Sequence, residues 1–353
     1  MAKVLMKGNE AIGTAAIKAG CKFFFGYPIT PQNELPEFMS KELPKVGGSF
    51  VQAESEIAAI NMVYGAAGCG ARVMTSSSSP GIALKQEGIS YIAGAELPCV
   101  IVNVMRGGPG LGGIQPSQAD YFQATRGGGN GDYYMPVYAP ATVQETVDLV
   151  IKGFNIADQY RTPVMVIVDG MIGQIMEPVE FSEESDIKIY EKSWATIGTN
   201  EERKPNIINS LYLKPEELEE HCEKLFKKYE IIKKNECLYE EKNLEEAEIV
   251  LVAYGTTARI VKNAIKTLEE MGIKAGLVRP ITVWPFPYDV IKNLGNNVKN
   301  ILVVEMSKGQ MIEDVLLGNN GQKKVHFYGR TGGMVPSPEE IVEKVKSIMG
   351  GEE

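Results

Sequence analysis

Hydrophobic positions along the chain follow two alternating patterns: short apolar runs of strand length, and longer stretches with apolar residues at helical spacing. The first such helix is predicted over 9–19, stopped by Gly20, and an apolar strand over 22–25 runs into Gly26-Tyr27-Pro28. A strand over 49–53 precedes a helix over 54–67, where Ile57, Ile60 and Tyr64 lie near helical spacing. A strand over 72–75, a helix over 81–95 and a continuous apolar strand over 98–105 follow. An uninterrupted apolar strand is the kind buried on both faces. A short strand over 134–138, a helix capped by Thr142 and running to 160, and a strand over 163–168 complete this stretch. Strands and helices alternating on this scale predict an α/β fold, a parallel sheet with helices on both faces.

Charge then divides the chain. Residues 181–248 hold 18 acidic and 11 basic side chains, whereas residues 1–180 hold only 16 and 12. The middle segment therefore reads as a solvated connector. It carries one helix over 215–234, with Pro215 and four glutamates near its start and four lysines near its end, as the helix dipole favours. From 249 the α/β pattern resumes. Strands are expected over 249–253, 275–278, 300–305 and 325–328, with helices up to 271, over 310–316 and over 338–349, and a rigid loop over 283–287. Three parts follow: 1–180, 181–248 and 249–353.

With 353 residues, 44% of them apolar, the chain can bury large cores without disulfides or metal staples. A net charge of −9 argues against wide nucleic-acid contact. No apolar run approaches the ~20 residues that span a bilayer, and the first residues lack the apolar core of a secretory signal, so a cytoplasmic protein is expected. Cys21, Cys69, Cys99, Cys222 and Cys237 are odd in number and form no Cys-x-x-Cys. That argues against a disulfide framework, a zinc site, or an iron–sulfur cluster held by this chain alone. His221 and His326, the only histidines, have no ligand partner at metal spacing.

Several motifs carry chemistry, each with a plainer alternative. Gly108-Pro109-Gly110-Leu111-Gly112-Gly113 matches a dinucleotide-binding pattern, but no amphipathic helix opens after it. Nine glycines lie between Arg106 and Asp132, as in a binding loop beside a cleft. Ser76-Ser77-Ser78-Ser79-Pro80-Gly81 joins a strand to a helix, where hydroxyls and free N–H groups either hold a ligand or merely cap the helix. Glu54 and Glu56 begin a helix, where the dipole alone favours acids; two positions apart, they point to different sides. Tyr27-Pro28-Ile29-Thr30-Pro31 presents Thr30 on a stiff turn at a strand's C-terminal end, where open α/β sheets bind ligands. Arg106 also ends a strand, placed to hold a carboxylate or to form a surface salt bridge.

Taken in order, Tyr27–Pro31, Gln52-Ala53-Glu54-Ser55-Glu56-Ile57-Ala58 and Met105-Arg106-Gly107-Gly108-Pro109 resemble the alpha-type subunit of thiamine-diphosphate-dependent 2-oxoacid:ferredoxin oxidoreductases. The resemblance continues through Trp284-Pro285-Phe286-Pro287, Glu305-Met306-Ser307-Lys308-Gly309-Gln310 and Gly329-Arg330-Thr331-Gly332-Gly333, and so covers nearly the whole chain. The glycine-rich loop with Gln118-Ala119-Asp120-Tyr121 is most similar to the branched-chain, 3-methyl-2-oxobutanoate type. Asn130 departs from the pattern, since close relatives are expected to carry a histidine there, which puts a catalytic role for that loop in doubt.

This resemblance implies a thiamine-diphosphate pyrimidine-type parallel-sheet domain over 1–180 and a transketolase C-terminal-like α/β domain over 249–353. It implies that Glu56 is catalytic. A carboxyl there would hydrogen-bond the cofactor's aminopyrimidine, so that the cofactor's own exocyclic nitrogen can take the thiazolium C2 proton. Ile29 and Thr30 would lie beside the cofactor, Thr30 and Arg106 would bind substrate, and Arg106 would pair its carboxylate. The cofactor would be shared with a diphosphate-binding, beta-type subunit carrying Mg²⁺. The Mg²⁺-bound diphosphate is expected on a partner because this chain shows no Gly-Asp-Gly…Asn segment, and iron–sulfur clusters are expected on partners because it shows no cluster-binding cysteine pattern. A gamma-type and a ferredoxin-like subunit, ferredoxin, a 2-oxo acid and coenzyme A complete the implied partners, and the chain alone should be inactive. Two alternatives stay open: a catalytically silent, partner-binding subunit, or a homologue specific for pyruvate or 2-oxoglutarate.

Overall fold

The computed structural model describes residues 3–181 and 187–350; part of the charged connector, 182–186, lies outside the described residues. The first part runs through β1 (Val4–Lys7), α1 (Gly8–Lys18), β2 (Phe23–Gly26), α2 (Glu34–Glu42), β3 (Ser49–Gln52), α3 (Glu56–Gly68), β4 (Val73–Ser77), α4 (Ser79–Gly94) and β5 (Cys99–Met105). It continues with α5 (Tyr121–Thr125), β6 (Val137–Tyr138), α6 (Val143–Tyr160), β7 (Pro163–Asp169), α7 (Gly170–Gln174) and β8 (Met176–Val179). Next come α8 (Pro215–Asn235), β9 (Tyr239–Lys242), β10 (Ile249–Val252), α9 (Gly255–Glu270), β11 (Ala275–Pro280) and β12 (Thr282–Trp284). The chain closes with α10 (Tyr288–Lys292), β13 (Asn300–Glu305), α11 (Met311–Asn319), β14 (Lys324–Gly329) and α12 (Pro338–Gly350).

Seven strands form the larger sheet in the order β12-β6-β7-β5-β4-β2-β3, and all its pairings are parallel except β12 against β6. Its central strand β5 is buried along its whole length. Val100, Val102 and Val104 face one core with α1 and α6, and Cys99 and Ile101 face the other. This two-sided burial is why the segment reads as an unbroken apolar run. The smaller sheet, β14-β13-β10-β11-β9, is parallel except for β9. Ile249, Leu251, Leu302 and Val304 pack with α9 and α12. Val250, Val252, Ile301 and Val303 join the core on the α3–α4 side of the larger sheet.

Two strands cross between the units. β9, from the charged connector, forms an edge of the smaller sheet. β12, where the prolines at 285 and 287 suggest only a rigid loop, pairs instead with β6 in the larger sheet. Gln118, fully buried, stitches the units together: its side chain donates to the Tyr254 carbonyl (2.8 Å) and accepts from the Met306 amide (2.9 Å) and the Thr257 hydroxyl (3.1 Å). Arg279 of β11 reaches α6 with a two-pronged ion pair to Glu145, at 2.6 and 2.8 Å. Among the described residues, no helix is long and apolar enough to cross a membrane.

Candidate active site

The first turn of α4 is the hub of the site. The chain reaches it from β4 through Ser76-Ser77-Ser78-Ser79, and the four hydroxyls divide their work. Ser76 Oγ donates to Gln32 Oε1 (2.5 Å), tying the Tyr27–Gln32 turn to the sheet, and Ser79 Oγ donates to Asp120 (2.5 Å). Simple capping does not describe the other two. Ser78 occupies the cap position without a side-chain cap bond; the Ser79 amide is instead taken by Asn103 Oδ1 (3.1 Å). Ser77 Oγ and Ser78 Oγ are buried with no hydrogen-bond partner among the described residues. Buried hydroxyls left unpaired cost free energy, so such a pair marks a place made for a ligand or partner.

On one flank stands Glu56. Ser55 caps α3 by accepting from the Ala58 amide (3.2 Å), which sets Glu56 in the first turn. Glu54, two positions earlier, is exposed, whereas Glu56 is only 7% exposed. Its carboxylate lies over Gly81: a Cβ there would stand 2.8 Å from Glu56 Oε1 and 2.0 Å from Ser77 Oγ. Glycine at 81 is thus what lets carboxylate, hydroxyl and helix start converge. No described residue donates a hydrogen bond to the Glu56 carboxylate.

On the other flank stands Arg106, 7% exposed, at the end of β5. Its backbone amide donates to Ser79 Oγ (3.0 Å). Its guanidinium donates to the Thr30 carbonyl (2.9 Å) and to the Leu111 carbonyl (3.0 Å), while Nε is buried without an acceptor. The structure therefore brings Arg106 and Thr30 together. Arg106 holds the Thr30 turn against the glycine-rich loop and keeps further N–H groups for a ligand. Thr30 and Ile29 are half-buried, and the Thr30 hydroxyl accepts from Asn33 Nδ2 (3.3 Å).

Sequence reasoning misses the support behind these groups. Asp120 accepts from Ser79 and from Asn103 Nδ2 (2.9 Å), and burial raises its pKa. Lys85 is fully buried and donates to Thr75 Oγ1 (2.7 Å); burial pulls its pKa down to about 7, with the Glu56 charge acting the other way. Lysine inside the stripe Ile82, Ile89, Ile92 was the visible signal. Nothing in the spacing links Ser79, Asn103 and Asp120.

The glycine-rich loop has no dinucleotide-binding geometry. Residues 107–120 form no helix, and the next one, α5, has five residues. Beside the loop a cleft of about 830 Å³ opens, walled by Ser79, Asp120 and Gln123 on one side and Ser307, Lys308 and Gly332 on the other. Further along, Gly128 and Gly129 press on Gln86 and Ser90 of α4, where side chains would collide, and Asn130 points away exposed.

An α/β protein built on two large sheets, whose polar helix start gathers a buried carboxylate, a guanidinium and unpaired hydroxyls at strand C-terminal ends, has the make-up of a cofactor-dependent enzyme subunit. The chain belongs to the pyruvate flavodoxin/ferredoxin oxidoreductase family: its thiamine diphosphate-binding domain matches residues 14–241, and the pyruvate:ferredoxin oxidoreductase core domain II matches residues 247–341. It is 49% identical to ketoisovalerate oxidoreductase subunit VorB of Methanothermobacter thermautotrophicus over 99% of each chain. It is 38% identical to the 2-oxoglutarate synthase subunit KorA of Methanocaldococcus jannaschii, over 96% of this chain and 98% of that one. Among solved structures, 2-oxoglutarate:ferredoxin oxidoreductase from Magnetococcus marinus, with 2-oxoglutarate, coenzyme A and succinyl-CoA bound, superposes with a TM-score of 0.87 at 30% identity. The match covers 98% of this chain but only 65% of that one. An inactive split-gene transketolase shares the fold alone, with a TM-score of 0.60 at 15% identity over 99% of both chains. The expected fold, a thiamine-diphosphate-type α/β domain followed by a transketolase-like one, is the one observed, and the chain is a subunit of a 2-oxoacid:ferredoxin oxidoreductase.

Proposed function

We propose that this chain is the pyrimidine-side subunit of a ketoisovalerate-type oxidoreductase. That enzyme converts a branched-chain 2-oxo acid and coenzyme A to the acyl-CoA and CO2, with two electrons passing to ferredoxin. The observation that carries the proposal is Glu56: a carboxylate buried at a helix start, accepting no hydrogen bond from the described residues, beside two buried unpaired serine hydroxyls. Those groups fit an aminopyrimidine, whose ring nitrogen and exocyclic amine need one strong partner and several weak ones. When bound, thiamine diphosphate supplies the carbon nucleophile and the electron sink for decarboxylation.

The roles of this chain's residues follow from their placement. Glu56 holds a proton at the ring nitrogen and fixes the ring's orientation. Thr30, on its stiff turn, and Ile29 line the approach of the substrate. Arg106 offers its remaining N–H groups to the substrate carboxylate while its two carbonyl contacts keep the turn and the loop in place. The residues 181–248 connect the pyrimidine-side unit to the transketolase C-terminal-like unit.

The diphosphate and its Mg²⁺ are assigned to a beta-type subunit and the iron–sulfur clusters to a ferredoxin-like subunit, with a gamma-type subunit completing a cytoplasmic complex. Ile57 and Leu84, each 51% exposed, and Tyr91 at 41% form apolar surface on α3 and α4 beside Glu56. That surface supports docking of the beta-type subunit across the cofactor. The similarity to VorB, higher than to KorA, supports the branched-chain substrate over 2-oxoglutarate.

The test is Glu56→Gln in the complex reconstituted from all subunits. Turnover of 3-methyl-2-oxobutanoate is expected to fall by about a hundredfold or more, with weaker cofactor binding. Turnover and cofactor affinity at the wild-type level would assign this chain to the silent, partner-binding class.

A further inference from the structure

A buried lysine normally sits in contact with a carboxylate, because an isolated ammonium inside a protein is costly. Lys85 does not follow this rule. It has no exposed surface, and its ammonium donates to a neutral hydroxyl, Thr75 Oγ1, which in turn donates to the Phe25 carbonyl (2.6 Å). Glu56 is the carboxylate that acts on it, and the two make no contact ion pair. Their relation follows from α4 itself. Gly81, under the Glu56 carboxylate, and Lys85 are four residues apart, so they lie one above the other on one helix face. Lys85 thus springs from the turn of α4 that follows the one under the Glu56 carboxylate, and its ammonium is held on β4 by Thr75 rather than on Glu56.

We propose that Lys85 is a positioning residue for Glu56: anchored on Thr75, it favours the carboxylate's charge without contacting it and leaves both carboxylate oxygens available to the cofactor ring. The proposal rests on the role given to Glu56 above. A contact ion pair would occupy those oxygens; an ammonium held on the Thr75 hydroxyl attracts the charge without competing for hydrogen bonds. The groups facing Lys85 are few. α3 contributes Glu56, β4 the Thr75 hydroxyl, and β5 Cys99, whose thiol burial pushes up to about 12, so that it stays neutral. Lys85 itself titrates near 7, so the support it gives Glu56 is full below neutrality and fades as pH rises through that range. A methionine would fill the same space without charge, and such replacements of buried ions are often tolerated by the fold.

The experiment compares wild type, Lys85→Met, Glu56→Gln and the double variant in the reconstituted complex, and follows the Lys85 ammonium by NMR in the cofactor-free full-length chain carrying isotope-labelled lysine. Lys85→Met is expected to weaken thiamine diphosphate binding about tenfold, with little change in Tm, and to remove a fall in wild-type cofactor affinity centred near pH 7. In the Glu56→Gln background the same change should cost nothing further, as coupled residues behave. Glu56→Gln should lower the Lys85 titration midpoint by about one unit, since it removes the charge that favours the ammonium. A Lys85 midpoint unmoved by Glu56→Gln, or an equal loss of affinity with and without Glu56, overturns the proposal. Glu56→Gln at wild-type cofactor affinity overturns the role of Glu56 and that of Lys85 together. A crippled Glu56→Gln beside an unaffected Lys85→Met overturns Lys85 alone. If Lys85→Met does not fold, Thr75→Val, which frees the ammonium from its anchor, must reproduce the loss of affinity; wild-type affinity in that variant overturns the proposal.

Discussion

Glu56, Arg106 and Lys85 are three charged side chains taken out of water for three reasons, and each predicts a separate measurement. Arg106 spends two of its donors on backbone carbonyls, of Thr30 and Leu111, in a fixed fork. A lysine cannot reach both and still meet a carboxylate. Arg106→Lys is therefore expected to lower kcat/KM roughly ten- to a hundredfold, the worth of one charge-assisted contact; an unchanged kcat/KM would remove Arg106 from the site. Lys85 also marks the stability curve. Its pKa is near 7 folded and 10.5 unfolded, so between those values the unfolded chain binds more protons, and stability rises with pH across that window. Below pH 7 both states are protonated and the burial cost is complete. Denaturant titrations at pH 7 and pH 9 should show this rise in wild type and a smaller one in Lys85→Met. That Glu56, Thr30 and Arg106 lie at strand or helix ends was legible because each sits in a short, chemically distinctive run beside a predicted element boundary. The Ser79–Asn103–Asp120 cluster was not, because its members are separated by 24 and 17 residues and meet only when β5 and the glycine-rich loop have folded around α4.

At the scale of elements, the start of α4 is shaped by what is missing from it. Gly81→Ala would put a methyl group 2.0 Å from Ser77 Oγ and 2.8 Å from Glu56 Oε1. Backbone conformation does not forbid alanine there, since α4 is regular at that point. The variant is expected to keep its fold while losing cofactor affinity, through displacement of Glu56; equilibrium dialysis of thiamine diphosphate against the complex, alongside a melting curve, separates the two. The long elements could be read from hydrophobic periodicity because each buries a broad face: β5, β7, α6, α9 and α12 appear close to where the pattern places them. What escaped were the short pieces. β1 and β8 pair antiparallel with only four residues each, α2 is nine residues with Pro36 in its first turn, and β12 is three residues ahead of a Pro-Phe-Pro run. Such segments carry too few positions for a period to show, and partners distant in sequence decide their structure.

Across the whole molecule, the two sheets are held in register by buried polar contacts as well as by shared core. Gln118→Ala would leave the buried Met306 amide without its acceptor, while the Tyr254 carbonyl keeps the Thr257 hydroxyl and the Ala258 amide, and should cost about 1–3 kcal/mol in denaturant stability for that one unpaired group. Equal stability of variant and wild type would show that the shared apolar core alone fixes the units. The highly charged, exposed surface of helix α8 was legible because charge density marks solvated surface directly. The exchange of strands between the units was not, since edge strands look alike whichever sheet receives them. That exchange constrains how such a gene can be rearranged. A break between residues 248 and 249, where the charged connector ends, would part β9 from the sheet it completes and β12 from the other. Both fragments would display raw sheet edges and seek each other or aggregate. Fission at that point, by protease or by evolution, therefore demands that the halves be made together and reassembled at once.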